Sequence, residues 1–238
     1  MKDTIKEIQE FLLSYCDHAH MKGYVLGISG GLDSSVLFKT LEPLKDLQVI
    51  AMMLPIHSLE QDEKDALELV KGSNRTILKV DLSPVYDAMV KALPPSDHEM
   101  SYHNLKPRLR MAALYQVAQA NHCLVAGATN KSEFLTGYFT KHGDSGVDVM
   151  PFAEFDKEEM VEMAKVLQVS KTILEKAPSA GLYEGQTDED EMQVSYADLN
   201  QVLRGEKVDE RVYNRVKSMV DITEHKRHMP IVFRRKGS

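Results

Sequence analysis

A glycine-rich loop between a predicted strand and a predicted helix constrains the fold of this chain more than any other feature. The apolar run 24–28 has the composition of a buried strand, and the segment from 34 onward carries apolar residues at helical spacing. Between them, residues 29–35 read Ser-Gly-Gly-Leu-Asp-Ser-Ser. Adjacent glycines let backbone N–H groups approach an anion, and the following helix adds its positive N-terminal dipole. The pattern predicts a phosphate-binding turn; the simpler alternative is a plain strand-to-helix turn.

The hydrophobic pattern around this loop predicts alternating helices and strands. The predicted elements are helix 1–20, strand 24–28, helix 34–44, strand 49–54, helix 60–71, strand 76–80, helix 83–92, a loop at 94–104, helix 105–121, strand 123–128 and a short helix near 130–137. Such alternation predicts an α/β fold with a doubly wound, mostly parallel sheet that helices cover on both faces. Ligands bind such sheets at the carboxyl ends of the strands, where both 29–35 and 127–133 would lie.

Composition narrows the class of protein. The chain has 238 residues, of which 43% are hydrophobic and 27% charged, as expected of one globular domain over 1–238. Its formal net charge of −7 argues against nonspecific nucleic-acid binding. No apolar run approaches the roughly 20 residues of a membrane helix, and the N-terminus lacks a signal-peptide pattern. Cys16 and Cys123 lack metal-ligand spacing, so we expect buried, reduced thiols in a cytoplasmic protein.

The loop also lacks the patterns of two common nucleotide-binding turns, GxxxxGK[ST] and GxGxxG. It resembles instead the SGGxDS motif of the ATP pyrophosphatases, which split ATP into AMP and pyrophosphate. The resemblance implies an adenine nucleotide alpha hydrolase-like, Rossmann-like fold. It also implies that the loop holds pyrophosphate and that Asp33 helps to hold Mg²⁺.

Further segments resemble the ammonia-dependent NAD synthetases, in that family's order and at similar spacing. These segments are 104–110, 127–148, 178–180, 185–191 and 224–227. The resemblance thus runs from about Tyr24 to Arg227. It implies a ligase that amidates deamido-NAD (nicotinic acid adenine dinucleotide) to NAD, using ammonia and ATP. The family reaction passes through a carboxyl-adenylate and releases AMP and pyrophosphate.

The same resemblance assigns site residues. It places ATP on Gly27, Ile28, Ser29, Gly30, Gly31, Leu32, Asp33, Ser34, Ala128, Lys157 and Ser179. It places deamido-NAD on Arg108, Lys141, Asp148, His225 and Lys226, and Mg²⁺ on Asp33 and Glu133. Asp33 and Lys157 are the expected catalytic residues. Carboxylate oxygens suit Mg²⁺, and cationic side chains suit a substrate with two phosphates and a carboxylate.

Several of these residues have simpler interpretations. Glu133 would pair with Lys131 on a solvated helix, and Lys141 would extend from a buried stem. The cations at 225–227 would stabilise a helix C-terminus, and Asp148 would cap a turn. The acidic run 188–191 reads as either solvated surface or the family's mobile cover over the active site. The serine-protease-like Gly-Asp-Ser-Gly at 143–146 is a coincidence, because it lacks the following glycine and the predicted fold is not that of a serine protease.

The chain departs from the family pattern at three positions. Gly181 stands where the family commonly has aspartate, so the contact of that carboxylate is missing from 179–185 or comes from a neighbouring residue. Ser145 replaces a common glycine, and Ala128 offers only its backbone where some relatives have threonine. None of the three removes a group that adenylation requires.

Two rival functions share the first loop. GMP synthetases and tRNA-modifying ATP pyrophosphatases adenylate other acceptors, although the tRNA enzymes usually add basic or cysteine-bearing regions. A non-enzymatic adenine-nucleotide sensor would explain the loop but not two candidate Mg²⁺ carboxylates with an added lysine. The chain has no predicted glutaminase domain, so we expect free ammonia as the nitrogen source. The family is dimeric, and apolar residues beyond one buried stripe on helices 1–15 and 105–121 agree with a homodimer.

Overall fold

A parallel four-stranded sheet forms the centre of the described structure. The computed structural model describes residues 1–176 and 187–235. The strands are β1 (Gly23–Gly27), β2 (Gln48–Met53), β3 (Thr76–Lys79) and β4 (Leu124–Ala126), in the order β3-β2-β1-β4. The chain winds from β1 outward to β3 and then crosses back to place β4 on the other side of β1. The topology therefore reverses between β1 and β4, and their carboxyl ends flank a crevice where ligands of such folds bind.

Helices precede, connect and follow the strands. They are α1 (Lys2–His18), α2 (Leu32–Leu41), α3 (Glu60–Val70), α4 (Ser83–Ala92), α5 (Glu99–His103), α6 (Leu105–Asn121), α7 (Lys131–Thr136), α8 (Lys157–Val166), α9 (Lys171–Leu174), α10 (Asp188–Met192), α11 (Tyr196–Leu203) and α12 (Glu210–Ile222), with a short 3-10 turn at Glu224–Lys226. None of the helices in the described ranges is long and apolar enough to cross a membrane.

Alternating strand residues build two cores, one on each face of the sheet. Tyr24 and Leu26 of β1 pack into a core with α1, α2, α3 and α8. Val25, between them, packs on the opposite face with side chains of α6. Both faces are buried because a parallel sheet with crossover helices exposes neither side. The predicted α/β class and the predicted covering of both faces are confirmed.

The C-terminal helices form a third, smaller core. Met192, Leu199 and Val216 are its buried centre, and they come from α10, α11 and α12. This helical layer is joined to the sheet through α7: the Ser132 hydroxyl donates to Asn200 Oδ1 at 2.8 Å, and Thr223 Oγ1 donates to the carbonyl of Thr136 at 2.9 Å. It follows that α10 to α12 pack beside the segment that succeeds β4.

Most predicted boundaries lie within a few residues of the observed ones. The helix predicted over 105–121 coincides with α6, whereas α2 begins at Leu32 rather than 34 and ends at Leu41. The prediction of a loop throughout 94–104 is wrong, because α5 occupies Glu99–His103. Its five residues are too few for a hydrophobic period to be recognised.

Candidate active site

The glycine-rich loop lies at the carboxyl end of β1, as predicted. The Ile28 amide extends the strand by donating to the carbonyl of Met52 at 2.8 Å. Gly31 is the N-cap of α2 in extended conformation, and no side chain caps the helix. The Ser29 and Ser34 hydroxyl oxygens lie 3.0 Å apart, and the Gly31 amide donates to Ser29 Oγ at 3.2 Å. Hydroxyl and amide donors thus gather at a helix N-terminus, which is an anion-binding arrangement.

Gly30 is required by both its conformation and its surroundings. Its φ is +78°, in the left-handed region that glycine adopts at little cost. A Cβ at this position would lie 2.3 Å from the carbonyl oxygen of Asp62, in the first turn of α3. A side chain at position 30 would therefore fit only if the first turn of α3 moved away.

Gly30→Ala is expected to destabilise the protein more than Gly72→Ala. Gly72 has nearly the same φ of +77°, but nothing lies within 4 Å of the place that a Cβ would occupy there. The control should lose about 1–2 kcal/mol of unfolding free energy, the cost of a left-handed L-residue. Gly30→Ala adds overpacking worth about 1–3 kcal/mol. Denaturant unfolding of both variants measures the difference, and equal losses would contradict the close packing of Gly30 on α3.

Asp33, Glu133 and Lys157 meet beside this loop although they are far apart in sequence. Lys157 Nζ donates to Asp33 Oδ2 at 2.7 Å across 124 residues of chain, and it lies 3.9 Å from Glu133 Oε1. Asn130, the N-cap of α7, donates to the same Asp33 oxygen at 3.3 Å and forms a capping box with Glu133. All three charged side chains are largely buried. Glu133 is therefore no solvated helix residue paired with Lys131.

The cluster has more acidic groups than cations, and this shifts the pKa values of its members. Burial alone would lower the pKa of Lys157, but the Asp33 and Glu133 carboxylates outweigh it and raise that pKa above its ordinary value. Burial and the neighbouring charge of Asp33 raise the pKa of Glu133 well above its ordinary value, while the Lys157 ammonium opposes the shift. Lys157 thus stays protonated at neutral pH, and the site has more carboxylates than cations.

Asp188 and Tyr196 extend the cluster, and neither is predicted from the sequence as a member of it. Asp188 is 3% exposed, and burial raises its pKa. The Tyr196 hydroxyl donates to Asp188 Oδ2 at 2.9 Å, and Lys157 Nζ lies 5.4 Å from the centroid of the Tyr196 ring. Asp188 belongs to the acidic run at 188–191. The sequence of this run does not show which of its carboxylates is buried and which are solvated.

Four of the residues expected to bind deamido-NAD form a second group. Arg108 Nε donates to the carbonyl of Lys141 at 3.2 Å, and Lys141 Nζ donates to the carbonyl of His225 at 2.6 Å. Lys226 Nζ donates to the carbonyls of Gly137 and Phe139 at 2.8 and 2.9 Å. The structure therefore brings Arg108, Lys141 and Lys226 together beside His225, and the Lys226 ammonium binds backbone carbonyls that follow α7.

Asp148 binds other parts of the protein. Its Oδ2 accepts from the Val125 amide of β4 at 2.7 Å, and its Oδ1 accepts from the Tyr115 hydroxyl of α6 at 2.9 Å. Both carboxylate oxygens thus bind protein groups, and neither caps a turn. The predicted ligand role of Asp148 stays a prediction.

Two further predicted ATP-binding residues lie away from the glycine-rich loop in sequence, Ala128 and Ser179. Ala128 follows β4 and is partly buried against the core that contains α2 and α8. The neighbouring Gly127 amide donates to the carbonyl of Val149 at 2.9 Å, which holds this loop beside the end of the sheet. Ser179 and the departure at Gly181 lie outside the described residues.

Comparisons with known proteins agree on one family. The family model described as NAD synthase matches residues 4–230. An NH(3)-dependent NAD(+) synthetase of Finegoldia magna is 44% identical over 198 residues, which cover 83% of this chain and 82% of the relative. The structure of an NMN synthetase from Francisella tularensis matches with a TM-score of 0.93 at 35% identity, over 97% of both chains. An NH3-dependent NAD synthetase from Campylobacter jejuni matches with a TM-score of 0.82 at 25% identity, over 98% of both chains.

Proposed function

Because the chain belongs to the NAD synthase family, we propose that it amidates deamido-NAD to NAD with ammonia, in a reaction driven by ATP. The observation that carries this proposal is the cluster of Asp33, Glu133 and Lys157 beside the glycine-rich loop. The cluster lies where the topology of the sheet reverses, and it combines an anion-binding turn with carboxylates and one ammonium. Those are the groups that adenylation by ATP needs.

The chemistry follows from the poor reactivity of a carboxylate. Its oxygen attacks the α-phosphorus of ATP, the bond from that phosphorus to the bridging oxygen breaks, and pyrophosphate leaves. Ammonia then attacks the acyl carbon, loses a proton and expels AMP, which leaves the amide. Neither step needs a protein nucleophile, and both cysteine thiols are buried; burial raises the pKa of Cys123 to about 11.

The protein's part in adenylation is positioning and charge stabilisation. The uncapped N-terminus of α2 and the loop hydroxyls would bind pyrophosphate oxygens, and the Gly31 amide would join them on release from Ser29 Oγ. The Lys157 ammonium, fixed by Asp33, would stabilise negative charge that develops on the phosphates. The cations Arg108 and Lys141 would bind the phosphates and the carboxylate of deamido-NAD.

The carboxylates near Lys157 fit Mg²⁺. Asp33 Oδ1 and Asp188 Oδ1 are buried oxygens without a hydrogen-bond partner among residues 1–176 and 187–235. Within the same ranges, no three acidic, histidine or cysteine side chains form a complete metal cage. Mg²⁺ is commonly held by one or two carboxylates plus substrate phosphates, so Asp33 and Glu133 would hold it only together with ATP. Bound there, Mg²⁺ would neutralise charge on the phosphates.

Incubation with ATP, Mg²⁺, ammonium and deamido-NAD tests the proposal. We expect equal amounts of AMP and NAD, and no AMP when deamido-NAD is left out. AMP formed only with another acceptor would favour a different ATP pyrophosphatase. Nucleotide binding without any turnover would favour a sensor.

A mononucleotide substrate is a second candidate, favoured by the close structural match to the NMN synthetase. Nicotinic acid mononucleotide carries the same carboxylate on the same ring, so both half-reactions would be unchanged. The two candidates differ only in whether the site binds a second nucleotide. Competition between equal concentrations of the two substrates, with both amides quantified, gives the ratio of their kcat/KM values. If kcat/KM is more than about 10-fold higher for one of the two, that one is assigned as the substrate. A 10-fold ratio corresponds to a difference of about 1.4 kcal/mol in transition-state binding.

Glutamine is expected not to replace ammonium as nitrogen donor. Hydrolysis of glutamine requires an activated nucleophile, and the described part of the chain has only the two buried cysteines as thiols. Turnover with glutamine, after removal of contaminating ammonium, should equal the rate without any nitrogen source. A glutamine-dependent rate that saturates would contradict the expectation.

We also propose a homodimer. The outer faces of α1 and α6 keep apolar surface, including Phe11 and Tyr115, which are 47% and 36% exposed. Sedimentation or light scattering is expected to give a mass near twice 26.9 kDa. A mass of one chain together with full activity would contradict this.

One domain in the cytoplasm is the arrangement we propose for residues 1–238. The hydrogen bonds between α7 and the C-terminal helices tie the helical layer to the sheet. The free thiols of Cys16 and Cys123 agree with a reducing compartment.

A further inference from the structure

The charged residues of the cluster are Asp33, Glu133, Lys157 and Asp188. One face of α11 contacts the segments that carry the last three of them, and the glycine-rich loop carries Asp33. The contacts come from Tyr196, Asn200 and Arg204. Because these residues are spaced four apart, their side chains point to the same side of the helix. Arg204 is the C-cap and keeps helical conformation. None of the three was singled out by the sequence.

Tyr196, at the start of this face, contacts Lys157 and Asp188. Its ring lies beneath the Lys157 ammonium at 5.4 Å, and its hydroxyl donates to Asp188 at 2.9 Å. Its amide donates to Glu189 Oε1 at 2.7 Å, which fixes the start of α11 against α10. An aromatic face attracts a cation most strongly where water is excluded, and Tyr196 is only 7% exposed.

Asn200, one turn later, holds α7. Its Oδ1 accepts from the Ser132 hydroxyl at 2.8 Å in a buried hydrogen bond. Ser132 directly precedes Glu133, whose Oε1 lies 3.9 Å from Lys157 Nζ. The contact therefore fixes the helix turn that presents Glu133.

Arg204, at the end of the face, holds the N-terminus of α8. Its guanidinium donates through Nε and Nη2 to Asp156 Oδ2 and through Nη2 to Glu158 at 2.8 Å. The other oxygen of Asp156 accepts from the amides of Glu158 and Glu159, so Asp156 is the N-cap of α8. Lys157 is the first residue of that helix, and Arg204 therefore fixes its backbone.

We infer that Tyr196, Asn200 and Arg204 are positioning residues that set the place of Lys157 and Glu133 for adenylation. The inference rests on the proposed function. None of the three needs to touch ATP, because each acts through a residue of the cluster. Catalytic groups require such support, since displacement by about 1 Å can cost about 10²-fold in rate.

Kinetics of Tyr196→Leu and Arg204→Ala test the inference. Tyr196→Leu removes the ring beneath the Lys157 ammonium together with the hydroxyl bond to Asp188, and Arg204→Ala removes the clamp on Asp156. We expect single-turnover AMP formation at saturating ATP to fall about 5–10-fold in each variant, as for a modest misplacement. Gln201→Ala is the matched control, because Gln201 lies on the exposed side of the same helix. It should retain the wild-type rate.

The decisive readout is the same pair of changes in a Lys157→Met background. If Tyr196 and Arg204 act through Lys157, each should lower the residual rate by less than about 2-fold there, because effects of coupled residues do not add. Equal fold losses in both backgrounds, or no loss in the wild-type background, would overturn the inference. If Arg204→Ala does not fold, Tyr196→Leu decides, because leucine keeps an apolar side chain in the core of the C-terminal helices. Absence of AMP formation by the wild-type protein would overturn the proposed function, and the inference with it.

Discussion

Asp33→Asn is expected to lower the rate of AMP formation by about 10²–10³-fold. The amide keeps the size of the side chain and an oxygen that accepts from Lys157 and Asn130, which now lie 2.7 and 3.3 Å from Asp33 Oδ2. It removes the charge that would hold Mg²⁺ and fix the Lys157 ammonium. Initial rates with deamido-NAD, together with a thermal unfolding curve, measure the effect.

Asp3→Asn is the matched control for this substitution. Asp3 also lies in the first turn of a helix, and its side chain is 94% exposed. If Asp33 only favoured the dipole of α2, both variants would lose about 0.3–1 kcal/mol of stability and keep near-normal turnover. A stable Asp33→Asn protein with the wild-type rate would contradict the assignment of the site.

Lys157→Met is expected to lower both activity and stability. Loss of an electrostatic group that acts on developing charge costs about 10²–10³-fold in rate. The Lys157 and Asp33 side chains are only 11% and 16% exposed, so removal of the cation leaves buried carboxylates unpaired. Breaking a buried pair in this way costs about 3–5 kcal/mol of unfolding free energy. Lys71→Met is the control; its pair with Glu68 is solvent-exposed and worth at most about 1 kcal/mol.

The stability defect of Lys157→Met should diminish as pH falls. An acid whose pKa is raised in the folded state binds more protons when folded, so lowering pH through that pKa stabilises the fold. Glu133 has such a raised pKa, and removal of the opposing Lys157 charge raises it further. In the wild-type protein the raised pKa of Lys157 stabilises the fold throughout the acidic and neutral range, and this contribution is lost only as pH rises through that pKa. The difference in melting temperature between the wild-type protein and Lys157→Met should therefore be smaller at about pH 5.5 than at about pH 8. A gap that widens toward acidic pH would contradict the unpaired-carboxylate explanation.

The sequence predicts the parts of this site that depend on local pattern. Two adjacent glycines after an apolar run identify the loop, because a positive φ and a close backbone approach leave no other residue type at Gly30. Asp33 and Glu133 follow strand ends, and parallel strands bring those ends to one edge of the sheet. The family resemblance, rather than periodicity, supplies Lys157.

The sequence does not predict contacts that depend on the tertiary packing of short helices. Asp188 is one acidic residue among four in succession, and only its burial under Tyr196 distinguishes it. Asn130 has a recognisable signal, the Asn-x-x-Glu capping box, but its bond to Asp33 spans 97 residues. The sequence assigns Lys226 to deamido-NAD or to a helix C-terminus and gives no sign that its ammonium binds two backbone carbonyls. Side-chain partners of this kind are fixed by the fold and not by spacing.

In the proposed mechanism the substrate carboxylate attacks the α-phosphorus of ATP. Deamido-NAD labelled with ¹⁸O in its carboxylate tests this directly when AMP and NAD are analysed by mass spectrometry. The attacking oxygen becomes the bridge between carbon and phosphorus, and it stays with phosphorus when ammonia displaces AMP. We predict one ¹⁸O in each AMP formed and none in pyrophosphate. Unlabelled AMP, or label in inorganic phosphate, would contradict the mechanism.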